Sequence, residues 1–410
     1  MTALASATVS QGRDELFDLD AVLTELREKF AETAAYYDAA GTIPVDNLNA
    51  LHAKGLLALT IAEDRGGMGA GLATSAKVIR EIARGEPSTA LILAMQCMSH
   101  SGIEGLEGWP KNLRHQLEQD AIIHGALVNA LRVEPELGTP ARGGLPATLA
   151  ERKRDGWVIT GRKIFSTGSH ALKYMLVWAK TDDDQPLVGY FLVPANCPGI
   201  RIEETWNHIG MRATASHDII FEKVKISPDH VMDIRQPVDW QVASGRQTAW
   251  IAGLLGSLYD GVAQSARDWF IHYAHGRSPS NLGAALSTLP RFQDLVGRID
   301  ALLLANHILL RELCESTDDG VPPVATDAFL VKFLVTKNAI EAVSMALEAI
   351  GNPGLTKNNE LERHYRNVLC SQAHAPQNDT ILIAAGKAAF DAAAQKKRTP
   401  RPPRFSGSPI

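Results

Sequence analysis

Apolar positions change their period twice along the chain. Up to about residue 124 they read as helix, with Leu16, Val22, Leu23, Leu26 and Phe30 recurring at helical spacing. Thr42-Ile43-Pro44-Val45-Asp46 predicts a helix start with proline in the first turn. Leu48, Leu51 and His52 continue one face, and Gly55 stops it. Leu57 to Ile61 is a short apolar run that leads into a glycine-rich stretch. A further helix carries Val78, Ile79 and Ile82 before Pro87, and Ser88 is a candidate cap for the apolar run Thr89 to Met98.

From about 125 to 230 the pattern turns to short β runs. Trp157 to Thr160, Met175 to Ala179, Leu187 to Val193, Asp218 to Phe221 and Val224 to Ile226 each read as a strand. Turn residues separate them, such as Asp182-Asp183-Asp184 and Pro198-Gly199. Such spacing suggests a small barrel or sandwich. From about 240 to 395 long helical periods return. One carries Ile251, Leu254, Leu255, Leu258 and Val262, and another carries Phe292, Leu295, Val296, Ile299, Leu302 and Leu303. A third runs from about Thr326 to Ile350 and stops at Gly351-Asn352-Pro353-Gly354; the last runs from about Asp379, a candidate N-cap, to Ala394. From Lys396 onward the chain is rich in Lys, Arg and Pro and is expected to be an exposed tail.

Composition narrows the class only a little. The 410 residues are 45% hydrophobic and 21% charged, with a net charge of −5. That is a globular balance, and it argues against a nucleic-acid binder, which would carry a basic stripe. The four cysteines, Cys97, Cys197, Cys314 and Cys370, form no CxxC pair, so neither a disulfide framework nor a zinc site is expected. No apolar run approaches 18 residues, and no secretory pattern opens the chain. A cytoplasmic protein with no membrane span and no metal is expected.

Three motifs invite a chemical reading. Gly66-Gly67-Met68-Gly69-Ala70-Gly71 fits neither a dinucleotide fingerprint nor a P-loop and reads as a turn. Val133-Glu134-Pro135 lies near Gly161-Arg162-Lys163-Ile164-Phe165-Ser166-Thr167-Gly168, which follows a strand. Hydroxyls, backbone N–H groups and the Phe165 face at such a strand end could bind an electron-poor heterocycle. His364-Tyr365-Arg366 and His374-Ala375-Pro376 come last. Taken alone, a histidine here reads as structural, and no Gly-x-Ser-x-Gly elbow accompanies it.

In order, these segments resemble the acyl-CoA dehydrogenase superfamily of flavoproteins. Glu63 to Gly69 resembles the family's Pro-Glu-x-x-Gly-Gly-x-Gly turn, with Ala62 at the proline. Ile82 to Ala90, Val133-Glu134-Pro135, Gly161 to Gly168, Gly210-Met211-Arg212, Phe221 to Val224, Gly351 to Gly354 and Arg366-Asn367 follow. The resemblance implies an α+β multi-domain fold: an N-terminal helical domain (1–124), a middle β-barrel (125–240), a C-terminal four-helix bundle (241–395) and the tail 396–410. It implies a flavin, FAD or alternatively FMN, between the β domain and the bundle, in a homotetramer or homodimer whose neighbouring subunit helps hold it. Leu131 and Val133 would offer backbone to the flavin, and Phe165, Ser166 and Thr167 would line its ring. Arg277 would meet the pyrophosphate, and Gly351 and Gly354 complete the cofactor set.

The departure from the family lies at the base. Its dehydrogenases take the α-proton of an acyl-CoA with a glutamate, a carboxylate held desolvated with a raised pKa. Aligning Arg366-Asn367 puts His374 at the preceding tyrosine and Ala375 at that glutamate. Aligning Gly253 to Gly256 as a turn puts Arg246 at the alternative position. Neither holds an acid. Arg366 followed by His374-x-Pro376 resembles instead the dibenzothiophene-type flavin monooxygenases of this fold. There a histidine eight residues after the arginine assists O2 chemistry. Asn129 and Thr167 resemble that branch's polar residues near the flavin. The expectation is therefore a flavin oxidoreductase working through O2, with His374, Asn129 and Thr167 as catalytic residues. Electrons would come from a flavin reductase or another electron-transfer partner. Dehydrogenation of an unusual acyl thioester and a scaffold without catalysis are the alternatives. The loop Pro140 to Pro146 replaces a Gly-Ser-Asp stretch that contacts the acyl thioester, a hint that CoA is not the substrate.

Overall fold

A computed structural model describes residues 18–104, 109–136, 145–240 and 244–398. Five helices come first: α1 (Leu19–Ala40), α2 (Val45–Ala53), α3 (Leu72–Gly85), α4 (Pro87–Glu104) and α5 (Lys111–His124). Eight strands follow: β1 (Leu127–Leu131), β2 (Leu149–Lys153), β3 (Gly156–Lys163), β4 (Leu172–Thr181), β5 (Val188–Pro194), β6 (Ile200–Glu203), β7 (Asp218–Ile226) and β8 (Val231–Arg235). The chain returns to helix in α6 (Gly245–Gly276), α7 (Pro290–Asp318), α8 (Ala325–Ile350), the short α9 (Leu361–Leu369) and α10 (Asn378–Arg398). The strands form one curled sheet in the order β6-β7-β3-β2-β4-β5-β8, with β1 lying parallel to β4, and it makes a half-barrel.

Local chemistry explains most element ends. Asp18 caps α1 by accepting from the N–H groups of Asp20 and Ala21, and Gly41 ends it in the left-handed conformation. The start of α3 has no cap of its own. Asp318, at the end of α7, accepts from the N–H groups of Leu72 and Ala73 at 2.7 and 2.8 Å. The glycine-rich stretch is the expected turn, with Gly66 at φ 94° and Gly69 at φ 61°, and a Cβ on Gly67 would stand 2.1 Å from the Ile61 carbonyl.

Four local expectations need correction. Ser88 does not cap α4: Glu86 does, its carboxylate accepting from the N–H groups of Ser88 and Thr89. The two runs Asp218 to Phe221 and Val224 to Ile226 are one strand, β7, because Lys223 at φ 52° makes a bulge opposite β3 rather than a turn. Asp379 lies inside the first turn of α10, not before it. Gly253 to Gly256 is not a turn: it lies inside α6, where the absent side chains let Leu72 and Leu310 approach.

One continuous core joins the three segments. α6 is its axis and packs on α3, α4, α7, α8 and α9. Inside the sheet, among the described residues, the ion pair Lys163–Glu134 is wholly buried. Lys163, with no exposed surface, donates to Glu134 and to the Trp178 carbonyl, each at 2.5 Å. Burial opposes the charge on Glu134. The Lys163 cation and hydrogen bonds from Lys163, Thr148 and the Ala147 N–H outweigh it, so its carboxyl sits below the ordinary value. This pair ties the strand end before Pro135 to the end of β3. Lys163→Ala strands a buried carboxylate and is expected to cost about 3–5 kcal/mol in urea unfolding. Adding Glu134→Gln should recover most of that loss. A cost below about 1 kcal/mol would show the pair to be dispensable.

Candidate active site

The loop after β3 is built by its neighbours. The Ile164 N–H donates to the Val133 carbonyl, Ser166 N–H to His217, and Gly168 N–H to Thr214. These bonds hold Phe165 at φ 57°, an uncommon conformation for a bulky residue, with 51% of its surface exposed. Its ring meets Trp206 and His208 edge-on at 6.2 and 5.9 Å, and those two stack at 3.6 Å. Together with Pro135, Arg162, Ile164, Thr205, Ser216 and Asp218 they line an open cleft of about 350 Å³.

Behind Phe165 the polar groups form a chain. Ser216 donates to Thr167 Oγ1 at 3.1 Å and lies 2.8 Å from Thr214, which donates to the Met211 carbonyl. Asn129, buried on β1, donates to the Thr167 carbonyl at 3.1 Å. Asn129 and Thr167 are thus brought together. Leu131, on the same strand, is buried. The Val133 carbonyl is engaged by Ile164. Ser166 Oγ is buried and has no hydrogen-bond partner. A buried hydroxyl without a partner wants one. An exposed, strained aromatic ring next to it gives a planar face beside that unmet group. These residues therefore fit a flat heteroaromatic cofactor with hydrogen-bonding edges.

His374 stands on the loop between α9 and α10. Its Nδ1 is 2.8 Å from the hydroxyl of Tyr259, a fully buried residue of α6. Lys332, fully buried on α8, donates to the carbonyls of His374 and Pro376 at 2.6 and 2.9 Å. Burial first, and the Lys332 cation second, push the His374 pKa down to about 3, so the imidazole is neutral. Ala375, at the expected position of the glutamate, forms a cis peptide with Pro376. Arg246, at the alternative position, lies over the Trp250 ring.

Helix α9 brings the two halves together. Asn367 Oδ1 accepts the N–H of Met211 at 2.7 Å. Arg366 donates to Asp38 of α1, to Glu362 and to the Ile209 carbonyl. Cys370 donates to the Arg366 carbonyl, against which Gly210 packs, and lies near Tyr259. His374 and the loop before β7 are therefore neighbours through Cys370 and Tyr259. His364, by contrast, is turned into the core, with neither ring nitrogen hydrogen-bonded.

Arg277 is exposed just beyond α6. Gly351 ends α8 at φ 69°, and Gly354 is buried against Leu347. Among the described residues no hydrogen bond, ion pair or ring contact joins these three to Phe165, Ser166 or Thr167. The Pro140 to Pro146 loop lies outside the described residues up to residue 144. Residues 399–410 of the tail lie outside them too, whereas Lys396 to Arg398 belong to α10. Among the described residues, no group of three or more His, Cys, Asp or Glu is placed to hold a metal, and no helix is long and apolar enough to cross a membrane.

Sequence reasoning missed Tyr259, Lys332, Ser216 and the Trp206–His208 stack. Lys332 left a signal: it falls on the buried stripe with Ala328, Val335 and Ala339. Tyr259 left none, because a tyrosine in an apolar helix face reads as packing.

Comparison with known proteins decides the family. The family descriptions "Acyl-CoA dehydrogenase, N-terminal domain", "middle domain" and "C-terminal domain" match residues 18–104, 132–224 and 254–379. A protein of Bacillus subtilis (strain 168), "Putative acyl-CoA dehydrogenase YdbM", is 30% identical over 89% of this chain and 95% of its own. The chain belongs to the acyl-CoA dehydrogenase superfamily. It is a flavin oxidoreductase of that superfamily. Human mitochondrial short-chain specific acyl-CoA dehydrogenase is 24% identical over 91% of this chain and 90% of its own. Two solved structures share the fold. FMN-bound TdsC from Paenibacillus sp. A11-2 is 22% identical, with TM-score 0.81 over 94% of this chain and 99% of its own. Butyryl-CoA dehydrogenase from Megasphaera elsdenii is 18% identical, with TM-score 0.81 over 90% and 96%.

Two groups beside the site make stability depend on pH in one direction. Burial pushes Lys332 down to about 8 from 10.5, and His374 stands at about 3 against 6.5. In both windows, 8 to 10.5 and 3 to 6.5, the unfolded chain holds more protons than the folded one. Stability from these groups therefore rises with pH through each window. Lys332→Met should flatten the rise in thermal midpoint between pH 8 and 10. An unchanged slope would show that Lys332 keeps its ordinary pKa in the folded protein.

Proposed function

We propose that this superfamily member oxidises its substrate with O2, as a monooxygenase or oxidase. One observation carries the reading: Ala375 stands where the superfamily's dehydrogenases are expected to place a carboxylate base, and the ionisable side chain beside it is a neutral histidine, His374. Flavin, when bound, supplies the two-electron redox chemistry. Phe165, Ser166 and Thr167 would hold its ring, and Leu131 and Val133 would flank it. Arg277, Gly351 and Gly354 would serve the phosphate end, reached from a neighbouring subunit.

The chain's own residues have separable roles. His374 presents an N–H to the oxygen on which charge builds. An ionised carboxylate could only accept there and would repel that charge. Thr167 and Asn129, joined through the Thr167 carbonyl, keep the ring-side polar groups in place. The proposal takes FAD as the flavin, with FMN as the alternative. Electrons arrive from a flavin reductase or another electron-transfer partner. The protein works as a homotetramer or homodimer in the cytoplasm, with three domains, 1–124, 125–240 and 241–395.

The second reading, dehydrogenation of an acyl thioester, is favoured by the name of the Bacillus subtilis relative. Rapid mixing separates the two. Photoreduced protein should be reoxidised quickly by O2, and His374→Ala should slow that step about 10²-fold. Reduction of the flavin by a panel of acyl-CoAs, without air and without a reductase, would overturn the O2 reading in favour of the second.

A further inference from the structure

Two proton arrangements suit the 2.8 Å contact between Tyr259 and His374. Either the phenol donates to Nδ1, or Nδ1–H donates to the phenol oxygen. We propose that Tyr259 is a positioning residue that locks His374 in its Nε2–H form, so the site presents a hydrogen-bond donor and lacks a free base. This rests on the reading that His374 faces the reacting centre.

Counting donors and acceptors favours the first arrangement. Tyr259 has no exposed surface. If its oxygen accepted from Nδ1, its own proton would need another acceptor. No hydrogen bond from Tyr259 to any other described residue exists. The nearby thiol of Cys370 donates to the Arg366 carbonyl, 3.6 Å away, and makes no hydrogen bond to Tyr259. A buried hydroxyl proton left without an acceptor costs about 1–3 kcal/mol. With Tyr259 as donor the buried phenol proton is met. Nδ1 is an acceptor, and the hydrogen falls to Nε2 of this half-buried side chain, which bonds to no described residue.

Two further features keep this state. Burial holds Tyr259 well above its ordinary pKa, so its proton stays available. Lys332 anchors the histidine's backbone and its neighbour's, and its charge disfavours a second proton on the ring. The chemical consequence is specific. Taking an α-proton from an acyl thioester needs a lone pair at Nε2, and the lock puts a hydrogen there. Donating to an oxygen that gains charge needs an N–H at the same atom, and the lock supplies it.

The test reads the tautomer directly. Flavin-loaded protein labelled with ¹⁵N-histidine is examined by long-range proton–nitrogen spectra, with His374→Gln assigning the signal. The wild type should show an unprotonated Nδ1 and a protonated Nε2 at neutral pH. Tyr259→Phe should let both tautomers populate and slow reoxidation by O2 about tenfold. Its flavin content and melting temperature should stay close to wild type. A wild-type proton on Nδ1, or a spectrum that Tyr259→Phe leaves unchanged, overturns the proposal. The wild-type spectrum decides even where the variant fails to fold. If both spectra behave as expected but His374→Gln reacts with O2 at the wild-type rate, the lock stands and the O2 role is what fails.

Discussion

The N–H of Met211 reaches Asn367 Oδ1 at 2.7 Å, and the whole site depends on that seam between sheet and helices. Beside it Gly210 passes so close to the Arg366 carbonyl that a Cβ would stand 2.3 Å away. No other residue would let the loop and α9 meet there without a shift. Arg366 then reaches Asp38, so α1 is drawn into the same seam. Burial opposes the charge on Arg366, and the carboxylates of Glu362 and Asp38 outweigh it, with Glu362 filling the remaining side of the guanidinium. The seam sets the separation between the Phe165 loop and the His374 loop. A cofactor site between two bodies needs that fixed separation before any residue in it can act.

Buried polar groups repeat this fastening elsewhere. Asp318 of α7 caps α3 across 245 positions of sequence, and Glu134 with Lys163 joins two strand ends inside the sheet. Such groups add little net stability, because desolvation consumes much of the attraction. What they add is register: each accepts only one geometry. The apolar core alone, continuous through all three segments, would tolerate sliding of α6 against its neighbours. The hydrogen-bonded set Asp260, Asn306 and Asn338 inside the bundle removes that freedom.

The fold was legible because its periods change abruptly and local rules govern the changes. Helical spacing, β alternation and glycine or proline stops located the long helices and the strands β3, β4, β5 and β7, but not β1, β2, β6, β8, α5 or α9. The misses share a cause. Ser88 looked like a cap because serine is the commoner cap, but the longer Glu86 side chain reaches the same N–H groups. β7 looked like two strands because a bulge at Lys223 interrupts alternation as a turn would. In the site, Phe165, Ser166 and Thr167 were visible because they are consecutive after one strand, whereas Asn129 was named only through the family resemblance. Tyr259 and Lys332 were not, because they meet His374 only across 115 and 42 residues of sequence. No local pattern records which face of α6 will meet which loop.

The chain contains 46 acidic residues, so the missing base is a matter of direction rather than supply. Asp260 makes this plain. It follows Tyr259 on α6, is fully buried, and has a pKa raised by that burial, which are the traits of a carboxylate base. One residue further along a helix is a turn of about 100°. That rotation carries Asp260 away from His374 and into the bundle, where Asn306 and Gln264 occupy its oxygens at 3.0 and 2.6 Å. An acid whose two oxygens both face donors in the core is aimed away from a substrate. Bringing it to the site would require α6 to rotate against α7 and α8, breaking the contacts that orient Tyr259. The same helix thus commits its acid to structure and its phenol to the histidine. The chemistry left to His374 is what a neutral ring with one anchored nitrogen can do.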